Sequence, residues 1–76
     1  MTDYYPLIGR VVAGLDKNTA EARRVIYDAA RTRLVEEFRK ADPALSEAAL
    51  THERLALERA IRKLEAEQLA LLAREP

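Results

Sequence analysis

Residues 46–72 read SEAALTHERLALERAIRKLEAEQLALL, and leucine returns at every seventh position, at Leu50, Leu57, Leu64 and Leu71. A seven-residue step brings a helical side chain back to nearly the same face, so these leucines form one stripe. Ile61 and Ala60 widen it. Ser46 is a good cap before it, with Leu45 and Leu50 spaced as a hydrophobic staple. Thr51 is a competing cap, so helix 3 starts either at Ser46 or just before His52. If the leucines are d positions of a coiled coil, the a positions are Arg54, Ile61 and Gln68. Only Ile61 is apolar, which is poor for a long zipper. The stripe is therefore expected to pack first on another helix of the same chain.

Moving back along the chain, Asp42-Pro43 stops the preceding helix, because a residue before proline is pushed out of the helical region. That helix carries Ala22, Val25, Ile26, Ala29, Ala30, Leu34, Val35 and Phe38, with Tyr27 at the margin. This face is wider than the roughly 100° of a simple surface helix, so helix 2 is expected to be central, with a neighbour on each side. Asn18 with Glu21 makes an asparagine capping box, and Thr19 is the rival cap. Helix 1 is capped by Thr2 or Asp3 and tolerates Pro6 in its first turn. Its face is Tyr4, Ile8, Val11 and Leu15, flanked by Leu7 and Val12. Gly14 is expected to end it in the left-handed conformation, with Leu15 folding back on the last turn.

The expectation is an all-α fold in one domain, residues 1–76, with helices at about 3–14, 19–41 and 46–73. Helices 2 and 3 form a long antiparallel hairpin, and the short helix 1 packs on it. At about 1.5 Å per residue the three span roughly 17, 33 and 40 Å. Helix 1 should then cover only the start of helix 2 and the end of helix 3. Leu34, Val35, Phe38, Leu50, Leu55 and Leu57 would lie beyond its reach. A dimeric helical bundle would cover them, and a two-fold dimer is the commonest oligomer.

Composition narrows the function. Thirteen Lys and Arg balance thirteen Asp and Glu, and there is no cysteine. Disulfides and Cys-ligated zinc are therefore ruled out, and zero net charge resists self-association only weakly. Charges interrupt every apolar run, so no membrane span is expected. Met1-Thr2-Asp3-Tyr4 has no basic n-region or apolar h-region, which points to the cytoplasm.

Chemistry-bearing patterns are thin. His52 is the only histidine and sits among charges, with no second His or Cys to complete a metal site. Glu36 and Glu37 point to different faces of a helix and cannot share a proton. No Gly-rich phosphate loop occurs, so no cofactor, small-molecule substrate or catalytic residue is expected. Arg23, Arg24, Arg31, Arg33, Arg39 and Lys40 lie on helix 2, but acids interleave with them instead of leaving a basic stripe. Arg59, Arg62 and Lys63 are likewise diluted by Glu58, Glu65 and Glu67. Tyr4-Tyr5-Pro6 reads as core and helix-end cover before it reads as a recognition motif. Glu36–Lys40 and Glu58–Arg62 are spaced for surface ion pairs.

Asp3-Tyr4-Tyr5-Pro6-Leu7-Ile8, Val12-Ala13-Gly14-Leu15, Glu21-Ala22-Arg23-Arg24, Leu45-Ser46-Glu47, Glu53-Arg54-Leu55-Ala56-Leu57-Glu58 and Ala60-Ile61-Arg62-Lys63 are distinctive strings. With them the chain resembles a group of short, uncharacterised helical proteins of alphaproteobacteria. The resemblance covers nearly the whole chain and implies no activity. The expected function is a non-enzymatic protein–protein interaction or scaffold module, a homodimer without cofactor. The alternative is a small nucleic-acid-binding regulator using the helix 2 arginines.

Overall fold

Three capped helices account for most of the described residues. A computed structural model describes residues 3–41 and 46–74, and these form α1 (Tyr4–Ala13), α2 (Ala20–Lys40) and α3 (Glu47–Arg74), with no strand among the described residues. Asp3 caps α1 by accepting from the Tyr5 amide at 3.2 Å. Thr19, not Asn18, caps α2: its hydroxyl accepts from the Ala22 amide at 3.1 Å. Asn18 is diverted, because its side chain holds Arg23 and Gln68 instead. Ser46 accepts from the Ala49 amide at 3.1 Å and its carbonyl from the Leu50 amide. This places the start of α3 at Ser46 and leaves Thr51 inside the helix.

Gly14 differs from expectation. It has φ −82°, ψ −2°, an ordinary right-handed conformation, and its amide donates to the carbonyls of Arg10 and Val11. The chain leaves α1 through bends at Asp16 and Lys17. At the other connection α2 ends at Lys40, and Ala41 departs in extended geometry. The expected stop at Asp42-Pro43 and the Leu45 staple fall outside the described residues.

The direction of packing follows from ion pairs. A step from Arg23 to Arg31 along α2 matches a step back from Glu65 to Glu58 along α3, so the two are antiparallel. All three helix pairs touch, but α1 packs more on α3 than on α2. The central helix is therefore α3, not α2 as its wide apolar face suggested. The core is Ile8 and Val12 of α1, Tyr27 and Leu34 of α2, and Leu50, Leu57, Ile61 and Leu64 of α3. Leu57 is its most buried member at 1% exposed. Three members of the leucine stripe are inside; Leu71 is exposed. On α1 the buried pair is Ile8 and Val12, an i, i+4 pair, while Leu7 and Val11 face outward. The molecule is a rod, 53 × 20 × 16 Å. No helix among the described residues is long and apolar enough to cross a membrane.

Candidate functional site

Two surfaces of α2 differ in kind. The first faces α3 and is polar but closed. Arg23 is buried, and its Nε donates to Glu65 Oε2 at 2.7 Å. Its Nη1 donates to Asn18 Oδ1 at 2.7 Å, and Tyr27 Oη donates to Glu65 Oε2 at 2.7 Å. One turn and more along, Arg31 makes a two-pronged contact with Glu58, at 2.7 and 2.9 Å, and also reaches Asp28 at 2.9 Å. Arg31 thus takes Glu58 across the seam with a planar fork that matches the carboxylate, and Arg62, the partner expected along α3, acts on Glu58 only through its charge.

The electrostatics follow from these contacts. The Arg31 hydrogen bonds, against a smaller opposing effect of burial, hold Glu58 below the usual carboxylate range. For Glu65 burial is the largest single influence and pushes up, yet hydrogen bonds from Arg23 and Tyr27 together bring it below that range. Burial, with the Glu65 contact, pushes the Tyr27 hydroxyl up to about 12. Every buried side-chain nitrogen and oxygen among the described residues has a partner. Such a network ties the two helices together in one register.

The N-terminal tyrosines act in the same structural way. Tyr4 Oη donates to Glu53 at 3.1 Å, and Tyr5 Oη donates to Glu67 at 2.6 Å. Lys63 Nζ stands 4.1 Å from the Tyr5 ring centroid, within cation–π range. Adjacent residues therefore grip α3 at two points on nearly one face, and Gly9 lies against it beside Leu64. The Glu67 contact raises the Tyr5 hydroxyl above its ordinary value. Tyr4-Tyr5-Pro6 is a clamp.

The second surface lies between α1 and α2 and is apolar and open. Leu7 and Val11 of α1 and Val25 of α2 form its walls, 52%, 55% and 70% exposed. Leu34 and Leu57 lie at its floor, and Phe38 closes the end near the α2 terminus. From Val25 to Phe38 it runs about 20 Å, the length of a short helix. The charged side chains on its lining are Arg33 and Glu37. A shallow depression from Asp28 to Glu37 is made by α2 alone and shares Ala29, Arg33 and Glu37 with the groove.

The residues expected to lie uncovered are placed differently. Leu34, Leu50 and Leu57 are buried within the single chain, and Val35 and Phe38 are partly buried against the core. Leu55 alone is exposed. Helix length underestimated the reach of α1, whose Tyr4 side chain extends to Glu53. Leu34, Phe38 and Leu57 nonetheless contribute to the groove, while Val35, Leu50 and Leu55 do not. Apolar spacing in the sequence places Leu7, Val11 and Val25 on core-facing stripes, whereas all three are exposed; for Leu7 and Val11 the available signal is that α1 carries more apolar residues than one buried stripe needs.

Of the helix 2 bases, Arg23 and Arg31 are committed to the seam, which leaves Arg24, Arg39 and Lys40 on the surface and Arg33 beside the groove. His52 is exposed, and no group of three or more His, Asp or Glu among the described residues is placed to hold a metal. Comparison with known proteins adds no relative: no family model, curated protein or solved structure matches the chain.

Proposed function

We propose that this chain is a non-enzymatic protein–protein interaction module that works as a homodimeric helical bundle. One observation carries the reading: the open groove between α1 and α2, where three large aliphatic side chains line a single surface more than half exposed. Exposed apolar residues scattered singly are ordinary; grouped on a groove above an apolar floor they mark a contact site. A fourth helix laid between α1 and α2 would complete a four-helix arrangement and remove that surface from water. Zero net charge sets no long-range repulsion against a second copy.

Light scattering on the purified protein from 1 to 100 μM, a range of ordinary working concentrations, is the direct test (about the span of transient to stable dimers). A mass twice that of the 8.6 kDa chain is expected. A chain that stays monomeric throughout overturns the proposal.

A further inference from the structure

Acids and bases alternate along the sequence of α3, but the fold separates them. Glu58 and Glu65 are drawn to one flank of the helix by Arg31, Arg23 and Tyr27 of α2. Glu53 and Glu67 are drawn to the other flank by Tyr4 and Tyr5 of α1. Glu47, the remaining acid of the described helix, lies in its first turn. Between the flanks, the line facing outward is Leu55, Arg59, Arg62, Ala66 and Leu69, all exposed, at steps of four, three, four and three residues. Arg59 has no acid three or four residues away on its own helix. Arg62 has Glu58 and Glu65 at those spacings, and each is taken by an arginine of α2 instead. Neither Arg59 nor Arg62 forms an ion pair among the described residues. Leu55 is 50% exposed and Leu69 68%; they stand about 21 Å apart along the axis, with the two guanidinium groups between them.

We infer that this outer face of α3 binds a helix of another protein, one with carboxylates at its middle and aliphatic side chains towards both ends. Charge complementarity selects the occupant. Alternating steps of three and four residues are those by which two helices interlock, and they put Leu55, Arg59, Arg62 and Leu69 on one seam. Along that seam the chemistry passes from apolar to cationic and back to apolar, so a partner has to change with it. Carboxylates opposite the arginines meet the planar fork of each guanidinium. A nucleic-acid backbone presents phosphate along its whole length and leaves both leucines unmatched. A bilayer surface would take the leucines in only at the depth of the arginines, since all four share one line, whereas an interfacial helix keeps its bases on the polar face. A second copy of this face also fails. Pairing Leu55 with Leu69 about a two-fold axis sets Arg62 against Arg62, and parallel pairing sets each arginine against itself. The zero net charge of the whole chain thus conceals a cationic face, because the acids of α3 are spent on its own neighbours.

The probe is a labelled synthetic helix with glutamates at the middle of a three-four seam and leucines at its two ends. Its control has the same residues with the glutamates at the ends and the leucines in the middle. Fluorescence anisotropy with the full chain should show binding of the matched helix, and binding of the reordered one about tenfold weaker. Arg59→Glu with Arg62→Glu is expected to lose the matched helix by about tenfold or more, and to gain a helix carrying lysine in place of glutamate. Both positions are exposed and glutamate favours helix, so urea unfolding of this variant should match that of the parent. No binding of the matched helix at about 1 mM overturns the inference. Equal binding of the two helices overturns it too, because net charge without pattern would then suffice. Tighter, arginine-dependent binding of a DNA duplex, or of vesicles of phosphatidylserine and phosphatidylcholine, overturns a helix as the occupant. The variant alters no residue lining the α1–α2 groove, so a failure here leaves the dimer reading standing, and a monomeric parent leaves this inference standing.

Discussion

The two sides of α2 solve opposite problems. Towards α3 it pairs its polar groups: Arg23, Tyr27 and Arg31 find Glu65 and Glu58 at hydrogen-bond distance, with Arg23 buried and Arg31, Glu58 and Glu65 partly exposed. Towards α1 it presents aliphatic surface and covers only part, leaving Val25 beside Leu7 and Val11. The polar side is complete within one chain, whereas the apolar side is not. Specificity of register inside the chain thus comes from directional contacts, and the capacity to bind comes from non-directional ones.

The comparison breaks most sharply at the shared core. Leu57 faces both sides: it is the most buried residue of α3 and also lies at the groove floor. Leu57→Ala should cost about 3–5 kcal/mol, because a rod this thin has little around Leu57 to collapse into the space. Urea unfolding followed by circular dichroism measures it. A loss under about 1 kcal/mol would mean that the groove closes over the deletion, and that the two sides are not independent.

Arg23→Met tests the polar side alone. Removing one partner of a buried pair is costly because the other is stranded, but Glu65 is partly exposed and water can reach it. The expected loss is about 1–3 kcal/mol, in the same urea experiment. Tyr27→Phe combined with it should cost less than the sum of the two single changes, because both groups bind the same Glu65 oxygen.

How much of this was legible in the sequence depends on the kind of signal. Helix limits were, because Asp3, Thr19 and Ser46 are local caps that act within three residues. The buried stripe of α3 was, because its period is local too. The seam was not. Arg23 and Tyr27 look like surface or marginal residues until Glu65, far along the chain, is brought opposite them. Nor was the groove. Helix length alone put Leu50 and Leu57 in the open, but side-chain reach from Tyr4 and cover from Val35 and Phe38 closed that end. The surplus apolar residues of α1 then had to appear elsewhere, at Leu7 and Val11.

Acid separates the sides by titration. Glu58 and Glu65 are held below their ordinary values when folded, so their contribution is complete above about pH 5.5, beyond the unfolded carboxylate range near 4.3. It is lost as pH falls through the folded values. Melting temperature should therefore drop on acidification below about pH 4.5, and the drop should shrink in Glu58→Gln with Glu65→Gln. At the alkaline limit Tyr27 works in the opposite sense: its raised value means stability is lost as pH climbs from about 10 towards 12, and Tyr27→Phe should remove that limb. Equal acid sensitivity in parent and double variant would show that the seam is not what acid attacks.

The smallest expected effect is the most discriminating. Val25→Glu places a charge on the most exposed aliphatic of the groove wall, 70% open to solvent in the single chain. An exposed substitution with no cap, cavity or buried polar group involved shifts stability by about 0.5 kcal/mol or less. Glutamate is also the better helix former, which works against any loss of packing. Unfolding of the dilute chain should therefore be unchanged, while association falls. If Val25→Glu instead unfolds the dilute chain as readily as Arg23→Met does, Val25 is packed within its own chain. The contrast between a closed side and an open one would then be lost.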